Sequence, residues 1–75
     1  EPVFYGDFEI LEQRIVGEKH LKCSLKLIDA SAIFEGIAFF QKKLQAKQVR
    51  VVYKLNVNSF RGNESLQLMI ESIEY

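Results

Sequence analysis

Three observations predict an all-β protein built as a five-stranded Greek-key barrel with one short helix between strands 3 and 4. Four runs follow a period of two and a fifth reads as a strand of open face, turn-forming residues separate most of them, and only one segment is rich in helix formers. Period two is the decisive signal, because successive side chains of a strand point to opposite faces. With 75 residues the chain has room for one such domain, residues 1–75, and no second. An apolar share of 48% beside 27% charged residues suits a packed core and argues against a disordered tail or a coiled coil.

The first strand lies within residues 3–16. Its inward set begins as Phe8 and Ile10 and shifts phase to Leu11, Gln13 and Ile15, as a bulge or bend in a long strand would produce. The second, residues 20–28, sets Leu21, Cys23, Leu25 and Leu27 against His20, Lys22, Ser24 and Lys26, a half-buried strand with a basic outer face. The third, residues 31–40, leaves its face open: either Ile33, Ile37 and Phe39 or Phe34, Ala38 and Phe40 form the inner set. Gly36 within it marks a kink or the close approach of another backbone. Residues 41–48 are rich in helix formers and poor in β-branched residues, which predicts the short helix. In the fourth strand Val49, Val51, Tyr53, Leu55 and Val57 alternate with polar neighbours; in the fifth, residues 65–73, Leu66, Leu68 and Ile70 do so. Turn chemistry falls at residues 16–19, 28–31 and 61–64. Five strands with a helical connector after the third is the element order of an OB-fold. That small barrel binds oligonucleotides or oligosaccharides across its strand 2–3 face and its 1–2 and 4–5 loops.

No apolar stretch approaches the roughly 18 to 20 residues that span a bilayer, so no membrane role is expected. The start Glu1-Pro2-Val3-Phe4 has neither an initiator Met nor a signal-peptide layout, and reads as part of something larger. A single cysteine, Cys23, excludes an internal disulfide and favours a reducing, cytoplasmic home. One His and one Cys cannot make a zinc site of ordinary ligand count. Nucleophile elbows, Walker loops and Gly-rich phosphate loops are absent from the sequence, so the segment is not expected to be an enzyme by itself.

Ten basic and ten acidic residues cancel, yet their distribution is uneven. Residues 41–63 carry Lys42, Lys43, Lys47, Arg50, Lys54 and Arg61 with no acid, while the acids gather towards the two ends. Exposed charge acts over a Debye length of about 8 to 10 Å, so a basic region attracts a phosphate backbone whatever the net charge. The alternative is that these cations only solvate strand faces. Phe60 beside Arg61 suits single-stranded nucleic acid, with the ring stacking on a base and the cation meeting a phosphate. In the opposing arrangement Phe60 caps the barrel end and Arg61 is solvated. Lys19 and His20 offer a cation and a ring in the 1–2 turn, Phe39 or Phe40 is a stacking candidate, and Tyr53 belongs to the core.

Two stretches, residues 14–22 and 53–68, resemble the C-terminal OB-fold region of the bacterial RecJ family. The runs Gly17-Glu18-Lys19-His20-Leu21-Lys22, Ile37-Ala38-Phe39, Asn58-Ser59-Phe60-Arg61-Gly62 and Ser65-Leu66-Gln67-Leu68 carry the likeness in order. The resemblance implies a parent 5′ to 3′ exonuclease of recombination and repair, specific for single-stranded DNA. Its DHH and DHHA1 catalytic domains would lie upstream, with Mn2+ or Mg2+ bound there and no cofactor in this segment. It further implies that this domain clamps single-stranded DNA, with Lys19, His20, Lys22, Asn58, Phe60 and Arg61 as the matching positions. The remaining basic residues of 41–63, Lys42, Lys43, Lys47, Arg50 and Lys54, would add non-specific attraction. Around the third strand the family is more basic, whereas this chain has Phe40-Gln41. A second expectation is a structural or protein-interaction module that docks on the catalytic domains or on the single-stranded DNA-binding protein through an outward patch of Phe34, Phe40 and Met69. A third is the OB domain of another nucleic-acid enzyme, a tRNA-binding or helicase module.

Overall fold

Strand β1 (Phe4–Val16) is long enough to serve two neighbours. Its first half pairs with β4 (Gln48–Phe60) from Phe4↔Tyr53 to Glu9↔Gln48, and from Phe8 onward it pairs with β2 (His20–Leu27). With β3 (Ile33–Ala38) and β5 (Asn63–Glu74) the strands close into a barrel in the order β1-β2-β3-β5-β4. All pairings are antiparallel except β3 with β5, which run parallel from Glu35↔Gln67 to Ile37↔Met69. This computed structural model describes residues 2–75, apart from the side chains of Asn58 and Phe60.

Two bulges re-phase long strands so that both halves face the core. The β1–β2 register shifts between Ile10 and Glu12, leaving Leu11 as the extra, exposed residue while Gln13 and Ile15 fall opposite Cys23 and Leu21. On β5 the shift opposite Val52 and Tyr53 makes Glu71 the extra residue, which lets Ile70 and Ile73 both turn inward. The core comprises Phe8, Leu21, Cys23, Leu25, Ala38, Leu44, Val49, Val51, Leu68 and Ile70. Tyr53 packs against it, edge to face with Phe8 at 5.8 Å between ring centroids. β3 buries the Phe34 and Ala38 set. Gly36 is buried because side chains fill the space a Cβ would need: that Cβ would lie 3.0 Å from Ile70 Cδ1 and 3.2 Å from Leu25 Cδ1. The approach at Gly36 therefore comes from side chains, not from another backbone.

Residues 41–48 do not form the expected helix. The stretch from Gln41 to Lys47 is irregular and β4 begins at Gln48. It runs along the part of β1 that β4 does not cover and is fastened there twice. Ile10 N–H donates to Lys47 O at 2.7 Å, and the Gln13 amide takes both backbone groups of Leu44, accepting from its N–H at 2.8 Å and donating to its C=O at 2.7 Å. A helix over these residues would need the Leu44 C=O for its own ladder, and it rises only about 1.5 Å per residue, too short a reach for a seam. So short a helix is also marginal by itself, and propensity yields to the anchors. Leu44, buried between the anchors, plugs the seam.

The 4–5 connection is a projecting arm rather than a loop. Phe60 pairs with Asn63, so only Arg61 and Gly62 form the turn, with φ of 52° and 82°. β1 pairs with β4 no further than Tyr53, so Leu55, Val57 and Leu66 extend the inward face beyond the barrel and are exposed instead of buried. None of the described elements is a helix, so none is a helix long and apolar enough to cross a membrane.

Two outcomes test this architecture. Gln13→Ala strands two backbone groups of Leu44 and should cost about 2 kcal/mol in urea unfolding, with Gln13→Glu intermediate because it keeps the acceptor. Burial, and secondarily the charge of Glu35, pushes the Cys23 thiol up from 9.0 to about 11. Between those values the unfolded thiol ionises while the folded one stays protonated, so unfolding free energy should fall as pH rises through that window. The fall should be smaller in Cys23→Ala.

Candidate nucleic-acid interface

The β1–β2 turn is built for sharp reversal. Gly17 and Glu18 both have positive φ, 60° and 63°, and Lys19 N–H donates to Val16 O at 3.3 Å, which makes a turn of the hairpin-favouring mirror type. The reversal leaves Lys19 exposed and sets His20 opposite Val16. Leu21 then pairs with Ala38, the last residue of β3, so His20 meets the turn that follows β3. Phe39 and Phe40 form that turn and are 51% and 78% exposed, so both rings of the candidate pair face out because the strand stops before them. The His20 ring lies edge to face with both, at 5.0 Å from Phe39 and 4.9 Å from Phe40.

A row of outward side chains crosses the barrel below this aromatic group. Arg14 lies opposite Lys22, Lys22 opposite Ile37, Ile37 opposite Met69, and Met69 opposite Lys54. Phe39, Lys54, Asn56, Met69 and Glu71 line a shallow cavity of about 370 Å³ on one side of the Phe39–Phe40 turn. Phe40, Lys42 and Lys43 line another on its other side. Cations and exposed rings are thus interleaved over the β1–β2 turn, the strand 2–3 face and the start of the β3–β4 connection.

Other expected residues lie elsewhere or are already engaged. Arg50 Nε donates to Asp7 at 3.0 Å, and that hydrogen bond, then the charge of Asp7, raises the guanidinium pKa above its ordinary value. It lies in a separate cavity with Asp29 and Glu74, in an acidic neighbourhood away from the aromatic group. Lys54 is held by Glu71 at 3.1 Å. Two of the six cations in residues 41–63 therefore meet acids drawn from the chain's acidic ends, so the charge separation is smaller in space than along the sequence. Arg61 sits at the arm tip, and the side chains of Asn58 and Phe60 lie outside the described residues. The expected patch of Phe34, Phe40 and Met69 does not assemble, since Phe34 turns inward and meets Phe8 edge to face at 6.4 Å. Lys42 and Lys43, expected to add only diffuse attraction, lie beside the aromatic turn because they follow Phe40 closely in the chain. Among the described residues no group of three His, Cys, Asp or Glu side chains could hold a metal ion.

A closed five-strand barrel with this order and a parallel β3–β5 pair is an OB-fold, the class that presents such a face to extended ligands. The chain belongs to the RecJ OB domain family, whose model matches residues 1–72. It is 41% identical over 78 residues to the single-stranded-DNA-specific exonuclease RecJ of Escherichia coli (strain K12), and 43% identical over 81 residues to that of Haemophilus influenzae. These alignments cover 97% and 99% of this chain, which spans 14% of each relative's length. Among solved structures, RecJ of Thermus thermophilus in complex with Mn2+ matches with a TM-score of 0.74 at 23% identity, covering all of this chain and 11% of that one. The Mg2+ complex matches at 0.71 and 20%, covering all of this chain and 12% of that one. At that identity the likeness establishes the fold alone.

The arm turn yields a stability test. Arg61 occupies a left-handed position where Asn before Gly is preferred, so Arg61→Asn should stabilise the chain by about 0.5 to 1 kcal/mol in urea unfolding.

Proposed function

We propose that this chain is the single-stranded-DNA-holding domain of a RecJ-type 5′ to 3′ exonuclease of recombination and repair. Its parent would be a cytoplasmic bacterial protein whose metal-dependent cleavage takes place in other domains. The observation that carries this reading is the grouping of exposed Phe39 and Phe40 with Lys19, His20 and Lys22, beside Lys42 and Lys43. Aromatic faces accept any base by stacking while the cations follow the phosphates, which suits binding without sequence preference. Asn58, Phe60 and Arg61 on the arm would contribute a second set of contacts. Arg50 would contribute least, because Asp7 already satisfies it.

Titration with oligo(dT) at low salt tests the reading. Phe40→Ala should weaken binding by about tenfold or more, since stacking is worth about 1 to 3 kcal/mol per base. Lys19→Gln and Lys22→Gln should each flatten the slope of log affinity against log salt by about 0.7. Asp7→Asn should leave unfolding unchanged while steepening that slope, because it frees Arg50 for a phosphate. No binding at low salt, or binding indifferent to Phe40→Ala and both lysine changes, would reject the assignment.

A second reading rests on the arm, whose inward face shows Leu55, Val57 and Leu66 at 47%, 58% and 41% exposure. A two-stranded ribbon is marginal by itself, and this one presents apolar surface suited to docking on the catalytic domains or on the single-stranded DNA-binding protein. Under that reading Val57→Lys in the full-length enzyme should disturb domain association and leave oligo(dT) binding by this chain intact.

A further inference from the structure

Phe40 has a φ of 57°, a left-handed conformation that a bulky aromatic residue keeps only when its surroundings hold it. The described contacts at Phe40 are with His20. Phe40 N–H donates to His20 Nδ1 at 3.1 Å, and the imidazole lies edge to face with both Phe39 and Phe40. His20 itself is well anchored, since it opens β2 opposite Val16 and precedes the fully buried Leu21.

A backbone N–H can only donate. Nδ1 must therefore offer its lone pair, which places the proton of the neutral ring on Nε2. We propose that His20, as its Nε2–H tautomer, is the positioning residue that locks the Phe39–Phe40 turn, and that protonation of the ring unlocks it. Protonation puts a hydrogen on Nδ1 facing the Phe40 N–H, so the bond is lost and the left-handed residue loses its partner. Charged groups around the ring come from each neighbouring element. Glu18, Lys19 and Lys22 share its hairpin, Arg14 is the nearest outward charge along β1, Glu35 is that along β3, and Lys42 and Lys43 follow Phe40. The role of the lock in nucleic-acid binding rests on the reading above, but the lock itself does not.

His20 therefore acts through two neighbours rather than as a ligand-binding cation, and substitutions separate these roles. Asn at position 20 keeps a short-reach acceptor without charge, whereas Lys keeps a cation without an acceptor. In the wild-type chain, nitrogen NMR should find Nδ1 unprotonated and Nε2 protonated while the imidazole is neutral. The exchange protection of the Phe40 amide should fall about tenfold as that same ring titrates. His20→Asn should retain Phe40 protection across the titration, and His20→Lys should lose it at every pH. In oligo(dT) titrations His20→Lys should bind about fivefold or more weakly than His20→Asn, despite its charge. An Nδ1–H tautomer, or Phe40 protection that ignores the ring's titration, overturns the proposal. So does a lysine variant that binds better than the asparagine variant. If oligo(dT) does not bind at all, the function proposed above fails, while the tautomer and exchange measurements still decide the lock.

Discussion

Closing this barrel requires the first strand, already paired with β2, to pair also with β4 at the other end of the strand order, and β1 carries that closure. Phe8 and Glu9 pair on both sides, with Leu27 and Lys26 on β2 and with Val49 and Gln48 on β4. Beyond Glu9 there is no β4 to pair with, since that strand begins at Gln48, and β1 would be left with an open flank. The Gln13 amide and the Ile10 N–H close it by recruiting the β3–β4 connection in place of a sixth strand. The core residues around Leu44, the course of the connection and the direction in which β4 enters the sheet all depend on that closure.

The same closure sets up the candidate binding end. Since the connection must start beside the end of β1 and descend along it, the chain has to reverse just after Ala38, and the reversal turns two aromatic rings outward. His20 meets them there because β2 begins opposite the end of β1. The aromatic group is thus a by-product of how the seam is covered, drawn from the start of one strand and the end of another.

Much of this was legible in the sequence. Alternation marked four of the strands, the phase change after Ile10 marked the bulge, and positional charge counting exposed the basic region hidden by a net charge of zero. What could not be read was decided by contacts distant in sequence. Residues 41–48 have helical composition, but Gln13, about thirty residues earlier, claims the backbone of Leu44. The alternation of Leu55 and Val57 correctly gave a strand and wrongly implied burial, because alternation records a face without saying whether anything covers it. Similarly, the positive run in residues 41–63 gave no hint that Asp7 and Glu71 would engage two of its members. The sequence also left the two faces of β3 equally plausible, and the choice fell to Gly36, whose missing side chain admits Ile70 and Leu25.

A seam fastened at two points leaves the chain ahead of the first of them free to vary. Leu44 and Lys47 are pinned to β1 through backbone atoms, and only Leu44 also needs its own side chain, as the plug. Residues 41–43 can thus drift in sequence, and lengthen, while the barrel stays shut. Lineages of this fold have a place to add or remove chain beside the aromatic turn, so that end of the barrel can diversify without renegotiating the core.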